Sequence, residues 1–123
     1  MNSLIYSIRK IIIVLIVNII ISENTILFSP FISYPEYDEI FTTYLISEHN
    51  NILHLWNHDC SISSTPYLTN DNILVRPCEV EFPSIDLPGR GGRIQKINWL
   101  GEILWDFIYS SETVLQHHDI ELL

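Results

Sequence analysis

Short β-rich runs, each followed by a polar turn and a second β-rich run, constrain most strongly what this chain can fold into. The runs are predicted to be strands because β-branched and aromatic residues dominate them, while Asn, Asp, Gly and Glu cluster between them. Beyond residue 22 we find no long stretch of helical periodicity. The pattern predicts three hairpins: residues 43–46 with 52–56, 66–68 with 73–75, and 92–97 with 102–107.

The first and third hairpins resemble each other at a constant offset of 51 residues. Ile46 aligns with Ile97, and Trp56 aligns with Phe107. A repeat of about 50 residues is typical of β-propeller blades. Two hairpins can also resemble each other by chance, and a β-sandwich or an open sheet would contain such hairpins too. The offset alone therefore leaves the propeller, the sandwich and the open sheet as alternatives.

The first 22 residues form a separate unit. Arg9 and Lys10 precede an apolar run over residues 11–21 that only Asn18 interrupts. A basic stretch followed by a short apolar run is typical of a signal peptide, and a membrane-spanning helix needs about 20 apolar residues. We therefore predict that residues 1–22 are a hydrophobic helix, acting as a signal peptide or as an uncleaved membrane anchor. The remainder is expected to be exported to the periplasm, secreted, or held outside the cytoplasm.

The charge of the chain excludes some partners. The net charge is −9, and residues 1–22 contain two of the six bases and none of the fifteen acids, so the remainder carries −11. The bases are scattered, whereas phosphate binding needs clustered Lys and Arg, and no nucleic-acid partner is expected. Apolar residues make up 47% of the chain, which is too many for a disordered protein.

The two cysteines, Cys60 and Cys78, permit two interpretations. Outside the cytoplasm they would form a disulfide that closes one loop, whereas two buried free thiols would explain them equally well. The chain has no Cys-x-x-Cys motif and no second cysteine pair, so no metal site is expected.

His117, His118 and Asp119 form the densest titratable cluster. Histidine suits proton transfer because its ordinary pKa of about 6.5 lies near neutrality. Adjacent residues of a strand point to opposite faces, so only one of the two histidines is expected to face a given pocket. An exposed polar strand end would also explain the cluster.

Residues 88–93, Pro-Gly-Arg-Gly-Gly-Arg, superficially resemble an anion-binding loop. They lack the Lys-Ser/Thr pair and the strand-to-helix context of phosphate motifs, and a flexible turn before a strand explains them. Arg93 and His117 are kept as candidate binding residues.

The other histidines and the tryptophans have structural interpretations. His54 belongs to an alternating strand, and His58 follows a strand end where a local hydrogen bond would explain it. Trp56, Trp99 and Trp105 are expected in the core or between packed sheets.

Two segments in the second half of the chain are typical of a known family. Residues 91–107 read Gly-Gly-Arg-Ile-Gln-Lys-Ile-Asn-Trp-Leu-Gly-Glu-Ile-Leu-Trp-Asp-Phe, and residues 115–122 contain His-His-Asp-Ile-Glu. Residues 26–30 and 42–56 look like the opening strands of the same family. From about residue 26 onward, the chain resembles the arylsulfotransferase family, the aryl-sulfate sulfotransferases.

The resemblance implies an exported β-propeller enzyme without a cofactor. Such an enzyme transfers a sulfuryl group from a phenolic sulfate ester to a phenol through a transiently sulfated histidine. Its small-molecule partners would be an aryl sulfate and a phenol. His118 matches the family's His-x-x-Glu segment and would line the active site as a hydrogen-bond donor or general acid.

The family pattern continues into Pro-Asn-Gly-Asn and later blades, which supply the nucleophilic histidine and its arginine, and this sequence contains neither. We therefore expect an all-β fold after the N-terminal helix, with residues 23–123 forming about the first blade and a half of an incomplete propeller. The chain alone is expected to be inactive, to touch a membrane only through residues 1–22, and to self-associate through its open sheet edge. The alternative is a small secreted β-rich binding protein without catalytic activity.

Overall fold

The described part of the chain is built from antiparallel β-strands. The computed structural model describes residues 24–31, 41–81, 83–85 and 87–123, and this part contains no helix, hence none that would cross a membrane. Its strands are β1 (Thr25–Phe28), β2 (Phe41–Ser47), β3 (Ile52–His58), β4 (Tyr67–Leu68), β5 (Leu74–Glu79), β6 (Gly92–Ile97) and β7 (Ile103–Ile108). The predicted all-β character is confirmed there, while the predicted N-terminal helix lies outside the described residues.

The strands form two sheets that follow chain order. Sheet A contains β1, β2 and β3, and sheet B contains β4, β5, β6 and β7. Every strand pairs antiparallel with its neighbour in the sequence. The three predicted hairpins are β2–β3, β4–β5 and β6–β7, and all three are confirmed.

Strand β5 continues past its predicted end at residue 75. The added part contains Pro77, and proline is disfavoured inside a sheet because it lacks a backbone N–H. In the structure the Pro77 carbonyl accepts the Ser63 N–H at 3.2 Å, and Pro77 pairs with Ile94 of β6. The proline is therefore accommodated inside the sheet, and β5 reaches Glu79.

The three hairpins share one turn geometry. In β2–β3, the Ser47 N–H donates to the Asn51 carbonyl at 2.9 Å, and the Asn50 N–H donates to the Ser47 carbonyl at 3.0 Å. Asn50 has a φ of 61°, and the Ser47 hydroxyl accepts the Asn51 N–H at 3.2 Å. These are the features of a three-residue hairpin loop, in which a type I turn is followed by a left-handed residue.

The same bonds recur in the other two hairpins. The equivalents of Ser47, Asn50 and Asn51 are Thr69, Asn72 and Ile73 in β4–β5, and Asn98, Gly101 and Glu102 in β6–β7. The first position is always Ser, Thr or Asn because its side-chain oxygen caps the loop. The left-handed position is always Asn or Gly because other residues adopt that conformation at a cost.

The 51-residue correspondence extends to the strand register. Ile46 pairs with Ile52 just after a register shift in β2–β3, and Ile97 pairs with Ile103 just after the same shift in β6–β7. Because turn and bulge recur at one offset, the first and third hairpins are two copies of the same backbone unit.

The two sheets pack against each other through a small apolar core. Leu45 and Trp56 of sheet A meet Leu74 and Ile97 of sheet B. Trp56 is only 1% exposed, and its indole N–H donates to the Asn98 carbonyl at 3.0 Å. Trp56 therefore ties sheet A to the β6–β7 turn.

The other aromatic side chains for which the sequence suggested a structural role occupy two different environments. His54 donates to the Trp99 carbonyl at 2.8 Å, and its ring stacks on the Trp99 ring with centroids 3.9 Å apart. Trp99 packs between the sheets as expected, although it is 37% exposed, and His54 is a hydrogen-bonded histidine of its strand. Trp105 instead lies exposed on β7 and stacks on Phe107.

Candidate functional site

The glycine-rich loop and the His-His-Asp segment lie side by side. After β7 the chain reverses direction and returns along the loop, where the Gly91 N–H donates to the Gln116 carbonyl at 3.0 Å. The His118 N–H donates to the Gly89 carbonyl at 2.6 Å. We refer to residues 88–93 and 115–120 together as the loop–histidine junction.

Two glycines allow this close approach. Gly89 has a φ of 69°, and a Cβ there would lie 3.0 Å from Nε2 of His118. Gly92 has a φ of 94°, and a Cβ there would lie 2.9 Å from Cδ1 of Leu115. Larger residues would strain the backbone at both positions and push the His118 ring away from the loop.

The two histidines bind each other. His118 has a φ of 60°, and its Nδ1 lies 2.5 Å from Nδ1 of His117, so one nitrogen donates and the other accepts. The expectation that the two rings point to opposite faces presumed a strand. The left-handed backbone at His118 ends that alternation and brings the rings together.

Gln116 links the loop to the histidine backbone. Its Oε1 accepts the Gly92 N–H at 2.9 Å, and its Nε2 donates to the His118 carbonyl at 3.3 Å. A single side chain therefore fixes both sides of the junction, and no pattern in the sequence pointed to it.

Asp119 anchors the end of the junction to the segment that leads into β4. Its carboxylate accepts the Ile120 N–H at 2.8 Å and the Ser64 hydroxyl at 3.0 Å. These bonds hold the pKa of Asp119 below its ordinary value. Tyr67 donates to the Ile120 carbonyl at 2.8 Å. Asp119 is thus engaged by hydroxyl and backbone donors and not by the neighbouring histidines.

A pocket of about 410 Å³ opens beside the junction. It is lined by Phe31, Ser63, Glu79, Leu87, Pro88, Gly89 and Arg90. Arg90 and Glu79 face each other across 3.8 Å, and the buried Ser63 hydroxyl has no hydrogen-bond partner among the described residues. Gly89 lines the pocket and also contacts the His118 ring, so it joins the pocket to the histidine pair.

Arg93 is not brought to the histidines. Its Nε and Nη2 donate to the two carboxylate oxygens of Asp106 at 2.9 and 2.6 Å, and its Nη1 donates to Asp59 at 3.2 Å. The Asp106 hydrogen bonds raise the pKa of Arg93 above its ordinary value and lower that of Asp106. The guanidinium of Arg93 is therefore already hydrogen bonded to two carboxylates.

A second polar cluster is largely buried, and the sequence did not predict it. It contains Arg76, His58, Thr43, Ser29 and Cys60, and we refer to it as the Arg76 cluster. Arg76 is 1% exposed. Its Nη1 lies 3.2 Å from the Cys60 sulfur, its Nη2 donates to the Cys60 carbonyl at 2.8 Å, and its Nε has no partner in the part of the chain that is described. Burial lowers the pKa of Arg76 to about 10.

His58 occupies the other end of the Arg76 cluster. Its Nε2 is hydrogen bonded to the Thr43 hydroxyl at 2.8 Å, and that hydroxyl is 2.5 Å from the Ser29 hydroxyl. Burial, followed by the charge of Arg76, lowers the pKa of His58 to about 3 against the opposing effect of Asp59. His58 is therefore neutral at physiological pH. Its hydrogen-bond partner, Thr43, lies on the neighbouring strand β2 and not in the residues that follow His58.

Cys60 and Cys78 form a disulfide in the structure, with Cα atoms 6.0 Å apart. The bond connects the segment after β3 to β5, where Cys78 also forms an isolated bridge with Ile62. Of the two interpretations that the sequence left open, the structure contains the disulfide.

No family model, curated protein or solved structure matches the chain. Within the described ranges, no three His, Cys, Asp or Glu side chains lie close enough together to hold a metal ion. The function is therefore inferred from the sequence resemblance and from the two polar sites.

Proposed function

We propose that the chain is the N-terminal part of an exported arylsulfotransferase-like β-propeller. The complete enzyme would transfer a sulfuryl group from a phenolic sulfate ester to a phenol through a sulfated histidine. The observation that carries the proposal is the contact between residues 91–107 and 115–122, the two segments that resemble the family. Gln116 bonds to Gly91 and Gly92 across the two segments. Next to this contact, the His118 N–H donates to the carbonyl of Gly89, which lines a pocket.

The arrangement of the sheets supports the propeller. Strands in sequence order form a four-stranded antiparallel sheet B, which packs face to face on sheet A. A propeller consists of such sheets arranged around an axis. The recurrence of one turn and one bulge at an offset of 51 residues is the relation expected between consecutive blades.

His118 would act as a hydrogen-bond donor or general acid. Its Nδ1 is engaged by His117, so Nε2 is the nitrogen left to donate to a sulfuryl or phenolic oxygen. A donor there would stabilise the negative charge that develops on the departing phenolic oxygen. His117 would orient the ring. Arg93 has no place in this proposal because Asp106 and Asp59 already hold its guanidinium.

The test uses the protein encoded by the complete open reading frame, with a chromogenic nitrophenyl sulfate as donor and phenol as acceptor. His118→Ala is expected to lower kcat/KM by about tenfold or more, because it removes a proton donor from the transition state. His49→Ala is the matched control, since His49 lies exposed in the β2–β3 turn. Normal turnover by His118→Ala would remove His118 from the site, and no transfer by the unaltered protein would end the proposal.

One observation favours the alternative of a secreted binding protein. Every residue of β7 is exposed, and Leu104, Phe107 and Ile108 are among its apolar side chains. An edge strand of this kind offers unpaired backbone groups to another strand.

We expect residues 23–123 to self-associate through β7. Sedimentation velocity should detect dimers or larger species, and Leu104→Lys with Phe107→Lys should reduce them, because charges on an edge strand oppose pairing. Val114→Lys, an exposed substitution outside the strands, should leave association unchanged. A monomer that unfolds in one sharp transition would contradict both the open edge and the incomplete propeller.

A further inference from the structure

Arg76 is a buried cation without a carboxylate partner among the described residues. Its hydrogen bonds go to Cys60, through the sulfur and the carbonyl oxygen. Burial of an unpaired charge is unfavourable unless a counter-ion or several hydrogen bonds offset it. A neutral disulfide sulfur and one carbonyl offset the charge only in part, because Nε remains unpaired.

We propose that Cys60 is a redox-active cysteine whose thiolate is stabilised by Arg76. Reduction of the disulfide would convert the sulfur that lies 3.2 Å from Nη1 into an anion and would supply the missing counter-ion. A neighbouring arginine favours the thiolate form of cysteine. Stabilisation of the reduced form makes a disulfide easier to reduce, so this one would be open to reduction by low-molecular-weight thiols.

The other charged groups near Cys60 do not replace Arg76. The titratable and charged groups that act on Arg76 and on its charged neighbours are His58, Asp59, Arg93 and Asp106. Asp59 and Asp106 would both oppose a thiolate, but Arg93 binds both carboxylates. Because the pKa of His58 is lowered to about 3, His58 stays neutral across the range in which a thiol titrates.

The two sulfurs differ in access. Both residues are buried, but Cys60 retains 7% exposure whereas Cys78 has none, so we expect an external thiolate to attack the Cys60 sulfur. Its attack forms a mixed disulfide with Cys60 and releases Cys78 as a thiolate, which takes up a proton. A second thiolate then attacks the external sulfur of the mixed disulfide and releases Cys60 as the thiolate beside Arg76. The two external thiols become one disulfide, and the protein gains two electrons.

The first experiment measures the redox equilibrium of the full chain in buffers with different ratios of reduced to oxidised glutathione. Free thiols are alkylated, and mass spectrometry gives the fraction of the protein that is reduced. The equilibrium constant for reduction is expected to fall by about tenfold or more in Arg76→Met. Lys96→Met is the matched control, because it also removes one positive charge but from an exposed position on β6. Equal constants for Arg76→Met and the unaltered protein would overturn the proposal.

The second experiment keeps the proposal testable if Arg76→Met does not fold. Cys78→Ser leaves Cys60 as a single thiol, and Cys60→Ser leaves Cys78 as its matched counterpart. The pH dependence of alkylation by iodoacetamide is expected to place the pKa of the Cys60 thiol about one unit or more below the pKa of the Cys78 thiol. Titration of both thiols at the same pH would overturn the proposal.

Discussion

Replacing Trp56 by alanine is expected to lower the free energy of unfolding by about 3–5 kcal/mol. Trp56 is 1% exposed and lies in the core between the sheets beside Leu45, Leu74 and Ile97. Alanine would leave a cavity there and would also remove one of the two donors to the Asn98 carbonyl, the other being the Gly101 N–H. Urea unfolding followed by far-ultraviolet circular dichroism measures the loss without depending on tryptophan fluorescence.

Phe107→Ala is the matched control for Trp56→Ala. Phe107 occupies the equivalent position in the repeated backbone unit, 51 residues later, but is 43% exposed. Its removal is expected to change the free energy of unfolding by about 1 kcal/mol or less, because partly exposed side chains lose little on truncation. Similar losses of unfolding free energy in both variants would contradict the burial of Trp56 and the exposure of Phe107.

Trp56 and Phe107 differ in exposure because another sheet packs on only one of the two repeated units. In sheet A, His54 and Trp56 face sheet B and contact Trp99. In sheet B, the equivalent residues are Trp105 and Phe107, which stack on each other and lie exposed. Two copies of one backbone unit thus present the same aromatic face, and in the described structure only the first face is covered by a following sheet. A further sheet placed on Trp105 and Phe107 would repeat the relation between sheets A and B, as the proposed propeller requires.

The hairpins were predictable because their information is local. Each turn needs a side-chain oxygen at its first position and a residue that tolerates positive φ near its end, and Ser47 with Asn50 illustrates both. The pairing of β5 with β6 was not predicted, because the loop of twelve residues between them, 80–91, is too long for a tight hairpin turn to set the register. Long connections leave the choice of partner strand to tertiary packing.

The candidate sites were predictable to different degrees. The glycine content singled out the loop and the resemblance singled out His118, but their contact depends on the chain reversal after β7 and could not be deduced from spacing. The Arg76 cluster was missed because burial of a cation is decided by the facing sheet. The one sequence signal was an arginine inside the otherwise apolar run from Leu74 to Cys78.

We expect acid to destabilise the protein through His58. In the folded protein the pKa of His58 is lowered to about 3, whereas an unfolded chain binds that proton with a pKa of about 6.5. The stabilisation is therefore fully present above pH 6.5 and is lost as the pH falls from 6.5 toward 3, because only the unfolded state gains the proton. Between pH 7.5 and pH 4.5 the loss is expected to be about 2–3 kcal/mol.

Urea unfolding at a series of pH values tests this expectation. His58→Gln keeps a polar side chain near Thr43 but cannot titrate, so its stability should change much less over the same interval. His54→Gln is the control, since His54 also bonds across the sheets but should leave the acid loss intact. Asp106 and Asp119 do not contribute between pH 7.5 and pH 4.5. Because their pKa values are lowered in the folded protein, the stability that they provide is lost only in more acidic solutions. Parallel curves for His58→Gln and the unaltered protein would mean that His58 takes up its proton at the same pH in the folded and unfolded states, which would contradict the lowered pKa of His58.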